Sequence, residues 1–172
     1  MHDNSDAYPI RLLEEKDVPL LVEFEQLVFP KAWGEESYLR WLQQGIRQPV
    51  AVEPFLPSNA VFAAWHTSDI LYGYISAAYY KQAAEMEILN IAVRQEHRGK
   101  GIGTCLLQHA LNAGVSAGIE RAVLEVRTSN HPAIALYESA GFKKTGVRKN
   151  YYADTGEDAL VLSNESLVGH NK

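Results

Sequence analysis

The stretch MEILNIAVRQEHRGKGIGT, residues 86–104, decides the fold because it joins an apolar strand, a glycine-rich turn and the start of a helix. Residues 86–93 become almost entirely apolar toward their end, which predicts a central strand covered on both faces. Gly101 and Gly103 then open a helix with an apolar inward face. That face consists of Leu106, Leu107, Ala110 and Leu111. A strand followed directly by an amphipathic helix is typical of layered α/β domains.

The first helix of the chain is predicted from its start signal. Asp17 precedes Val18 and Pro19, and proline is tolerated in the first turn of a helix because its missing N–H has no partner there. Asp17 is therefore expected to cap this helix. Its apolar side chains are expected on one face: Leu20, Leu21, Phe24, Leu27 and Val28.

The remaining elements are predicted from apolar runs that lie between turn-forming residues. They are strands over residues 8–13, 60–65, 70–80, 121–127, 147–152 and 159–163, and helices over residues 35–44 and 130–140. A turn is expected at Thr67, Ser68 and Asp69, and Asn130 is placed to cap the last helix. This order predicts an α/β (α+β) domain built on one mixed sheet.

Length, charge and cysteine content narrow the class of protein. The 172 residues fit one domain, with residues 163–172 as a C-terminal tail. A formal charge of −5 argues against a broad cationic surface for nucleic acid. The lone cysteine forms no internal disulfide, and the acidic residues within 1–6 are unlike a signal peptide. Because the sequence also lacks the ~20-residue apolar run of a membrane span, a cytoplasmic protein is expected.

The turn at residues 98–104 gives the strongest local signal for a ligand. Glycine lets the backbone approach a ligand closely, and the free N–H groups at a helix start attract phosphate oxygens. Arg98 and Lys100 add positive charge within an acidic chain. These residues indicate a pyrophosphate site, and a glycine turn without a ligand is the alternative.

Two other phosphate-binding motifs fail at this turn. A P-loop requires Ser or Thr after its lysine, whereas Lys100 is followed by Gly101. A dinucleotide fingerprint requires a third glycine where this chain has Leu106. Glu125 does lie about 20 residues farther on, where that fingerprint places its ribose-binding acid. A nucleotide-binding protein is therefore disfavoured.

Four ordered segments extend the pattern of the turn and together resemble one enzyme superfamily. Arg98-x-x-Gly101-x-Gly103 matches the coenzyme A loop of the GNAT acetyltransferases. The later segments are LEVRTSN at residues 124–130, AIALYESAGF at 133–142, and RKNYY at 148–152 with GEDA at 156–159. Over about residues 86 to 162 the chain resembles the RimI type, the ribosomal-protein-alanine N-acetyltransferases. The resemblance implies the GNAT fold, a single mixed and mostly antiparallel sheet flanked by helices.

The resemblance also implies that acetyl-CoA is the cosubstrate, bound by three parts of the chain. Strand residues Ile91, Ala92 and Val93 would pair with the pantetheine arm, and Asn130 would contact the same arm. Backbone N–H groups of the turn would hold the pyrophosphate. These turn residues are Arg98, Gly99, Lys100, Gly101, Ile102, Gly103 and Thr104.

Transfer of acetyl to an amine needs a base and benefits from an acid. An attacking α-amine must be neutral, and its pKa is ~7.7–8.0. By resemblance, Glu125 is the base and Tyr137 is the acid that protonates the departing thiolate. The residues alone leave alternatives open: Glu125 as a surface glutamate paired with Arg121 or Arg127, and Tyr137 as a core aromatic.

The cysteine and histidine residues indicate neither a nucleophilic cysteine nor a metal site. Cys105 is expected to be a small buried side chain of the helix rather than an acylated nucleophile. His97 is expected to be a solvated loop residue. The spacings of the six histidines contain no metal-ligand pair, so no metal ion is expected.

The acceptor site is expected where aromatic residues resemble the peptide site of RimI-type enzymes. Phe29 and Trp33 belong to a Phe-Pro-Trp region with an apparent two-residue insertion, and Tyr151 and Tyr152 would form the opposite wall. Capping of the core by Trp33 and both tyrosines is the alternative.

Three functions remain open from the sequence. The leading one is acetylation of a protein N-terminus, with a ribosomal protein as the acceptor. A small-molecule amine acetyltransferase is the second, and an acyl-CoA-binding sensor module without catalysis is the third.

Overall fold

A computed structural model describes residues 8–29, 32–50, 55–67 and 70–167 of the chain. Within these residues the order of strands and helices is the predicted one. The strands are β1 (Ile10–Leu12), β2 (Asn59–Thr67), β3 (Ile70–Tyr80), β4 (Glu85–Val93), β5 (Arg121–Arg127), β6 (Lys143–Tyr152) and β7 (Glu157–Asn164). The helices are α1 (Val18–Val28), α2 (Glu35–Arg47), α3 (Ile102–Ser116) and α4 (His131–Ser139). Short 3-10 turns lie at Glu15–Asp17, Lys81–Ala83 and Gln95–His97.

The strands form one sheet of seven, in the order β1-β2-β3-β4-β5-β7-β6. Every neighbouring pair is antiparallel except β4 and β5, which are parallel. This arrangement confirms the predicted mixed, mostly antiparallel sheet flanked by helices. No helix within the described residues is long and apolar enough to cross a membrane.

The parallel pair separates along its length. β4 and β5 pair at residues 85–88 and 121–124, ending at Ile88 opposite Leu124. Beyond that point β4 runs on to Val93 and β5 to Arg127 with no further paired residue in this described part of the chain. The two strands therefore diverge and leave a wedge-shaped opening in the middle of the sheet.

The opening corrects one prediction about β4. The strand is central in the sheet, as predicted, and its end contacts a core cluster on each face, through Ile91 and Val93 on one and Ala92 on the other, but this coverage is incomplete. Residues 89–93 are only half-buried, because β5 no longer lies beside them. Apolar residues at the end of this strand consequently line a cleft as well as bordering the core.

Helices cover the two faces of the sheet unequally. On one face α3 packs against the sheet through the side chains predicted to face inward: Leu106, Leu107, Ala110 and Leu111. On the other face α1 and α2 pack over β1 to β3 around Phe24, Tyr38 and Tyr74. β5 alternates accordingly, with Leu124 buried in the α3 core and Glu125 half-buried on the opposite face.

Two details of α1 differ from the prediction. Leu27, expected to face inward, is 67% exposed. Helical residues advance by roughly 100° each, and the buried stripe of α1 runs through Leu21 and Glu25, so Leu27 falls on its flank. The prediction placed only apolar residues inside, whereas the charged Glu25 is 2% exposed.

Asp17 precedes α1 but does not cap it. Its carboxylate instead receives the guanidinium of Arg11 at 2.7 Å and the backbone N–H of Glu14 at 3.0 Å. Burial alone raises the pKa of Asp17, but the bonds from Arg11 and Glu14 outweigh burial and lower it. The predicted turn at Ser68 and Asp69 and the last residues of the predicted tail, 168–172, lie outside the described residues.

Candidate active site

A cleft of about 660 Å³ extends from the end of β4, beyond its last pair with β5, to the glycine turn and the start of α4, and the residues that line it include none of β5. It brings together every residue predicted for acetyl-CoA except Lys100. The lining residues are Ile91, Ala92, Val93, Arg98, Gly99, Gly101, Ile102, Gly103, Thr104 and Asn130, joined by Val28, Phe29, His97, Pro132, Ala133 and Leu136. Its volume lies within the usual range of small-molecule sites.

The glycine turn exposes backbone N–H groups to this cleft. Gly99 and Gly101 have φ angles of +74° and +83°, which side chains other than glycine rarely adopt. The first regular helical bond of α3 runs from the Cys105 N–H to the Gly101 carbonyl (3.0 Å). The N–H groups at 102–104 precede that bond and have no partner within the helix, so together with the helix dipole they favour an anion.

Arg98 and Lys100 have different surroundings. Arg98 lines the cleft, and its Nε donates to the Val93 carbonyl at 3.1 Å, which ties the turn to the end of β4. The Lys100 carbonyl is 3.4 Å from the Tyr8 hydroxyl, and its Nζ is 3.5 Å from Nδ1 of His97. Lys100 does not line the cleft itself, although its Nζ lies near His97, which does.

One edge of β4 is available to an extended ligand. β3 pairs with the other edge, with Tyr74 opposite Ala92 and Gly73 opposite Val93. Glycine is required at position 73, because a Cβ there would lie 2.5 Å from the Ala92 carbonyl oxygen. The edge facing β5 has no strand partner among the described residues beyond Ile88. Its N–H and C=O groups can therefore pair with an amide-containing chain, as a further strand would.

Asn130 joins α4 to the cleft. Its side-chain oxygen accepts a hydrogen bond from the Ala133 N–H at 3.3 Å, which confirms the predicted cap of α4. The same residue lines the cleft together with Pro132 and Leu136. The cap therefore fixes the position of Asn130 in the lining of the cleft.

Glu125 lies on β5 just past the last residue pair with β4. Its carboxylate is 2.6 Å from Nε of Arg148 on β6, and its side chain is only 17% exposed. The Tyr151 hydroxyl also hydrogen-bonds to Glu125, and this bond, followed by burial, raises the pKa of Tyr151. Both cations considered as partners from the sequence bind elsewhere: Arg121 to Glu85 and Glu165, Arg127 to Asp154 and Glu157.

Tyr137 lies on α4, one residue after Leu136 of the cleft lining. It is 5% exposed and packs against Phe142 with ring centroids 5.8 Å apart. Burial raises the pKa of its hydroxyl far above the ordinary value, and the neighbouring Tyr152 raises it further. The hydroxyl is therefore a proton donor throughout the physiological pH range.

Tyr151 and Tyr152 stand at the end of β6 beside Glu125. Their rings meet edge to face at 5.2 Å, and the Arg127 guanidinium lies 3.8 Å from the Tyr152 ring centre. Burial is the largest cause of the raised pKa of Tyr152, and Glu125 contributes to it. Tyr152 interacts electrostatically with both Glu125 and Tyr137, so these side chains share one neighbourhood.

The other predicted acceptor residues lie on the α1–α2 side. Phe29 lines the cleft directly. Trp33 does not; it is 43% exposed, with its ring 5.2 Å from that of Tyr38 and 6.1 Å from that of Trp41. A small hollow beneath Trp33 reaches Leu89 on β4, two residues before the cleft lining begins at Ile91.

Several residues of the site were not found from the sequence. His97, expected to be solvated, is half-buried, lies 4.6 Å from the Tyr72 ring and lines the cleft; its place beside the glycine turn was the available signal. Cys105, expected to be buried, is half-buried. The sequence indicated Arg148 only as part of the RKNYY motif. Its contact with Glu125 was not predicted, because that contact depends on how β6 pairs with β7.

Comparison with known proteins agrees with this geometry. A sequence model described as the acetyltransferase (GNAT) family matches residues 18–142. The [ribosomal protein bS18]-alanine N-acetyltransferase of Escherichia coli K12 is 32% identical over 156 residues, which cover 90% of this chain and 95% of that protein. An N-alpha-acetyltransferase of Saccharolobus solfataricus is 49% identical over 164 residues, covering 94% of this chain and 95% of that protein.

A solved structure is similar over the same extent. The crystal structure of the ribosomal-protein-S18-alanine N-acetyltransferase from Escherichia coli superposes with a TM-score of 0.74 at 28% identity, covering 96% of this chain and 98% of that one. Sequence, fold and cleft therefore agree. The chain belongs to the GNAT family of acetyltransferases, which use acetyl-CoA as the acetyl donor.

Proposed function

We propose that this enzyme acetylates the N-terminal α-amine of a protein, with a ribosomal protein as the leading acceptor. The observation that carries the proposal is the position of Glu125, immediately past the divergence of β4 and β5 and beside the aromatic pair Tyr151 and Tyr152. The names of the two curated relatives, both enzymes that acetylate α-amines, support it.

Acetyl-CoA supplies the acetyl group as a thioester. The chain offers one set of groups suited to its anionic pyrophosphate and another suited to its amide-containing pantetheine arm. The N–H groups at 102–104, with Arg98 beside them, suit a pyrophosphate. The free edge of β4 at Ile91 and Val93 suits the amides of the pantetheine arm. Asn130 and Leu136 close the opposite side of the same cleft.

Glu125 is proposed as the general base. An ammonium with a pKa of ~7.7–8.0 must lose a proton before its nitrogen attacks, and a carboxylate that is half-buried and held in place is suited to accept it, directly or through water. Tyr137 is proposed as the general acid, because burial keeps its hydroxyl protonated until the sulfur leaves.

The acceptor chain is proposed to run between two aromatic walls. Phe29 and Trp33 would form one wall and Tyr151 and Tyr152 the other. Trp33 and Tyr151 are exposed and Phe29 and Tyr152 are half-buried, and aromatic rings of this kind provide contact area to an extended peptide with little loss of side-chain entropy. Trp33 does not line the cleft itself. It is included in the proposed wall because it lines a small hollow that also reaches Leu89.

A panel of acceptors tests this function. Acetyl-CoA turnover would be measured on peptides with a free N-terminus that vary in their first two residues, and on polyamines and aminoglycosides, with mass spectrometry of the products. We expect turnover of peptides only. Preference for the small amines would assign the enzyme to them instead, and acetyl-CoA binding without turnover of any amine would support a sensor module.

A cytoplasmic location is the remaining part of the proposal. The single cysteine, Cys105, is consistent with a reducing compartment, because it forms no disulfide within the chain. Fractionation of cells with an antibody to the protein tests it, and recovery outside the cytoplasmic fraction would contradict it.

A further inference from the structure

Glu25 is a carboxylate buried inside the molecule, away from the residues assigned to catalysis. It lies on α1 at 2% exposure, among the apolar side chains that join α1 and α2 to the sheet. An ionised carboxylate in such a place is costly unless several hydrogen bonds compensate the lost water. Its partners therefore indicate why it is there.

Three donors from three parts of the fold converge on Glu25. Its Oε1 accepts the hydroxyls of Tyr38 on α2 and Tyr74 on β3. Its Oε2 accepts the backbone N–H of Trp33 at 3.1 Å. Burial raises the pKa of both tyrosines, so both hydroxyls remain donors. A carboxylate is the side chain that offers only acceptors to such a set.

The bond to Trp33 is the one that reaches the segment between α1 and α2. This segment begins at Phe29, which lines the cleft, and Trp33 lies four residues farther on. The Trp33 ring is 43% exposed and stands over the hollow that leads to Leu89. A displacement of the Trp33 backbone would therefore move one wall of the proposed acceptor path.

We propose that Glu25 is a positioning residue of the acceptor site, which holds the Trp33 backbone so that the Trp33 side chain forms its part of the wall that faces the incoming peptide. Glu25 acts through Trp33 and does not touch the reacting atoms. The proposal rests on the proposed function, because it assigns the α1–α2 side of the cleft to the acceptor.

Two substitutions distinguish the effect of the hydrogen bond that Glu25 accepts from the Trp33 N–H from the effect of Glu25 on packing alone. Glu25→Leu fills a similar volume but offers no acceptor to the Trp33 N–H. Glu25→Gln keeps a neutral acceptor, which makes a weaker bond than a charged one. Asp17→Asn is the matched control, because Asp17 is also a buried carboxylate at α1, at 4% exposure, but binds Arg11 and the N–H of Glu14 instead.

The first measurement is steady-state kinetics with a peptide acceptor. Glu25→Leu is expected to raise the peptide KM by roughly tenfold or more, the loss typical of a hydrogen bond to a charged group. Glu25→Gln is expected to fall between wild type and Glu25→Leu, and Asp17→Asn to match wild type. The KM for acetyl-CoA should stay unchanged in all three. Lower thermal stability of Glu25→Leu with an unchanged peptide KM would overturn the proposal.

The second measurement does not depend on activity. Amide hydrogen exchange at Trp33, followed by NMR, should be slow in the wild type and faster in Glu25→Leu, while amides in the middle of α2 keep their protection. Unchanged exchange at Trp33 would also overturn the proposal. If Glu25→Leu fails to fold, the same two readouts on Glu25→Gln decide. Wild-type protein that leaves every peptide unmodified would contradict the proposed function. The exchange result would still test whether Glu25 holds the Trp33 backbone.

Discussion

Glu125 shares its carboxylate between Arg148 and Tyr151, both on β6. The guanidinium lies 2.6 Å away and is 60% exposed, so it can swing into solvent. An ammonium that approaches Glu125 competes with Arg148 for the same oxygens. In the proposed function, the contact would hold the carboxylate in place until the acceptor arrives.

Replacement of Glu125 tests the base directly. Glu125→Gln is expected to lower kcat by roughly 10²–10⁴-fold, the usual contribution of general acid–base catalysis, and to leave acetyl-CoA affinity near wild type. Stopped-flow or steady-state assays with a peptide measure the loss. Glu85→Gln is the matched control, because Glu85 also binds an arginine but lies at the paired end of β4 and β5. Full activity of Glu125→Gln would remove the assignment.

Tyr137 leads to a prediction about pH. Burial raises the pKa of its hydroxyl far above the ordinary value, so the proposed acid would remain protonated while the acceptor amine, with a pKa of ~7.7–8.0, becomes neutral. The rate should therefore rise through that range and hold a plateau up to about pH 10. Tyr137→Phe should lower the plateau and keep its shape. A fall below pH 10 that disappears in Tyr137→Phe would contradict this account.

Single residues were predicted to the extent that their contacts are local. The turn residues and the cap at Asn130 depend on neighbours a few positions away, and all of them except Lys100 line the cleft. Glu25 was missed, because its tyrosine partners lie 13 and 49 positions away and a glutamate on a helix is normally solvated.

At the scale of elements, the glycine turn and α3 act as one unit. The positive φ of Gly101 aims the first N–H groups of α3 into the cleft. A Cβ at this position would meet nothing within 4 Å, so any effect of a side chain comes from backbone conformation. The turn therefore offers a test in which steric contact plays no part.

Gly101→Ala is expected to weaken acetyl-CoA binding roughly tenfold. Alanine at this positive φ carries ~1–2 kcal/mol of backbone strain, which is relieved only when the turn gives up the conformation that binds the ligand. Isothermal titration calorimetry measures the change in affinity. Gly118→Ala is the matched control, since Gly118 has a φ of +86° and equally open space but follows the far end of α3. Equal losses of affinity in both variants would contradict a specific role of the turn.

Element order was predictable because each strand and helix carries its own periodicity. The buried face of α1 was predicted at Leu21 and Phe24, with Leu20 and Val28 packed beside them, but not at Leu27 and Glu25. The prediction assigned apolar side chains to the inside and so turned Leu27 inward. The structure centres that face on Leu21 and Glu25, because tertiary hydrogen bonds to the carboxylate outweigh local amphipathicity.

At the scale of the whole molecule, the cleft exists because two parallel strands stop pairing. Both strands continue beyond Ile88 and Leu124, but β4 carries an irregularity there: β3 pairs Ala77 with Ile88 and Ser76 with Asn90, so Leu89 is left out of the ladder. No residue type at this point of the sequence marks the end of pairing. The divergence arises from the assembly of the sheet. Sequence reasoning could predict the strands but not the opening between them.

Acetyl-CoA should stabilise the fold that surrounds the cleft. At 100 times its Kd, a ligand that binds only the native state adds about 2.7 kcal/mol, which for a chain of 172 residues corresponds to roughly 5–10 °C in Tm. Differential scanning fluorimetry measures this shift. ATP and NAD, the ligands of the two motifs that fail at the turn, should give no shift at the same concentration, and a shift as large as that of acetyl-CoA would contradict the assignment.

The central claim is that the acetyl group goes to a protein α-amine, and one measurement tests it most directly. Two peptides of the same sequence, each with an internal lysine, are incubated with acetyl-CoA and the enzyme; one has a free N-terminus and the other a blocked one. The account predicts a single acetyl group, located by tandem mass spectrometry on the α-nitrogen of the free peptide, and no product from the blocked peptide. Acetylation of the lysine in both peptides at similar rates would contradict it.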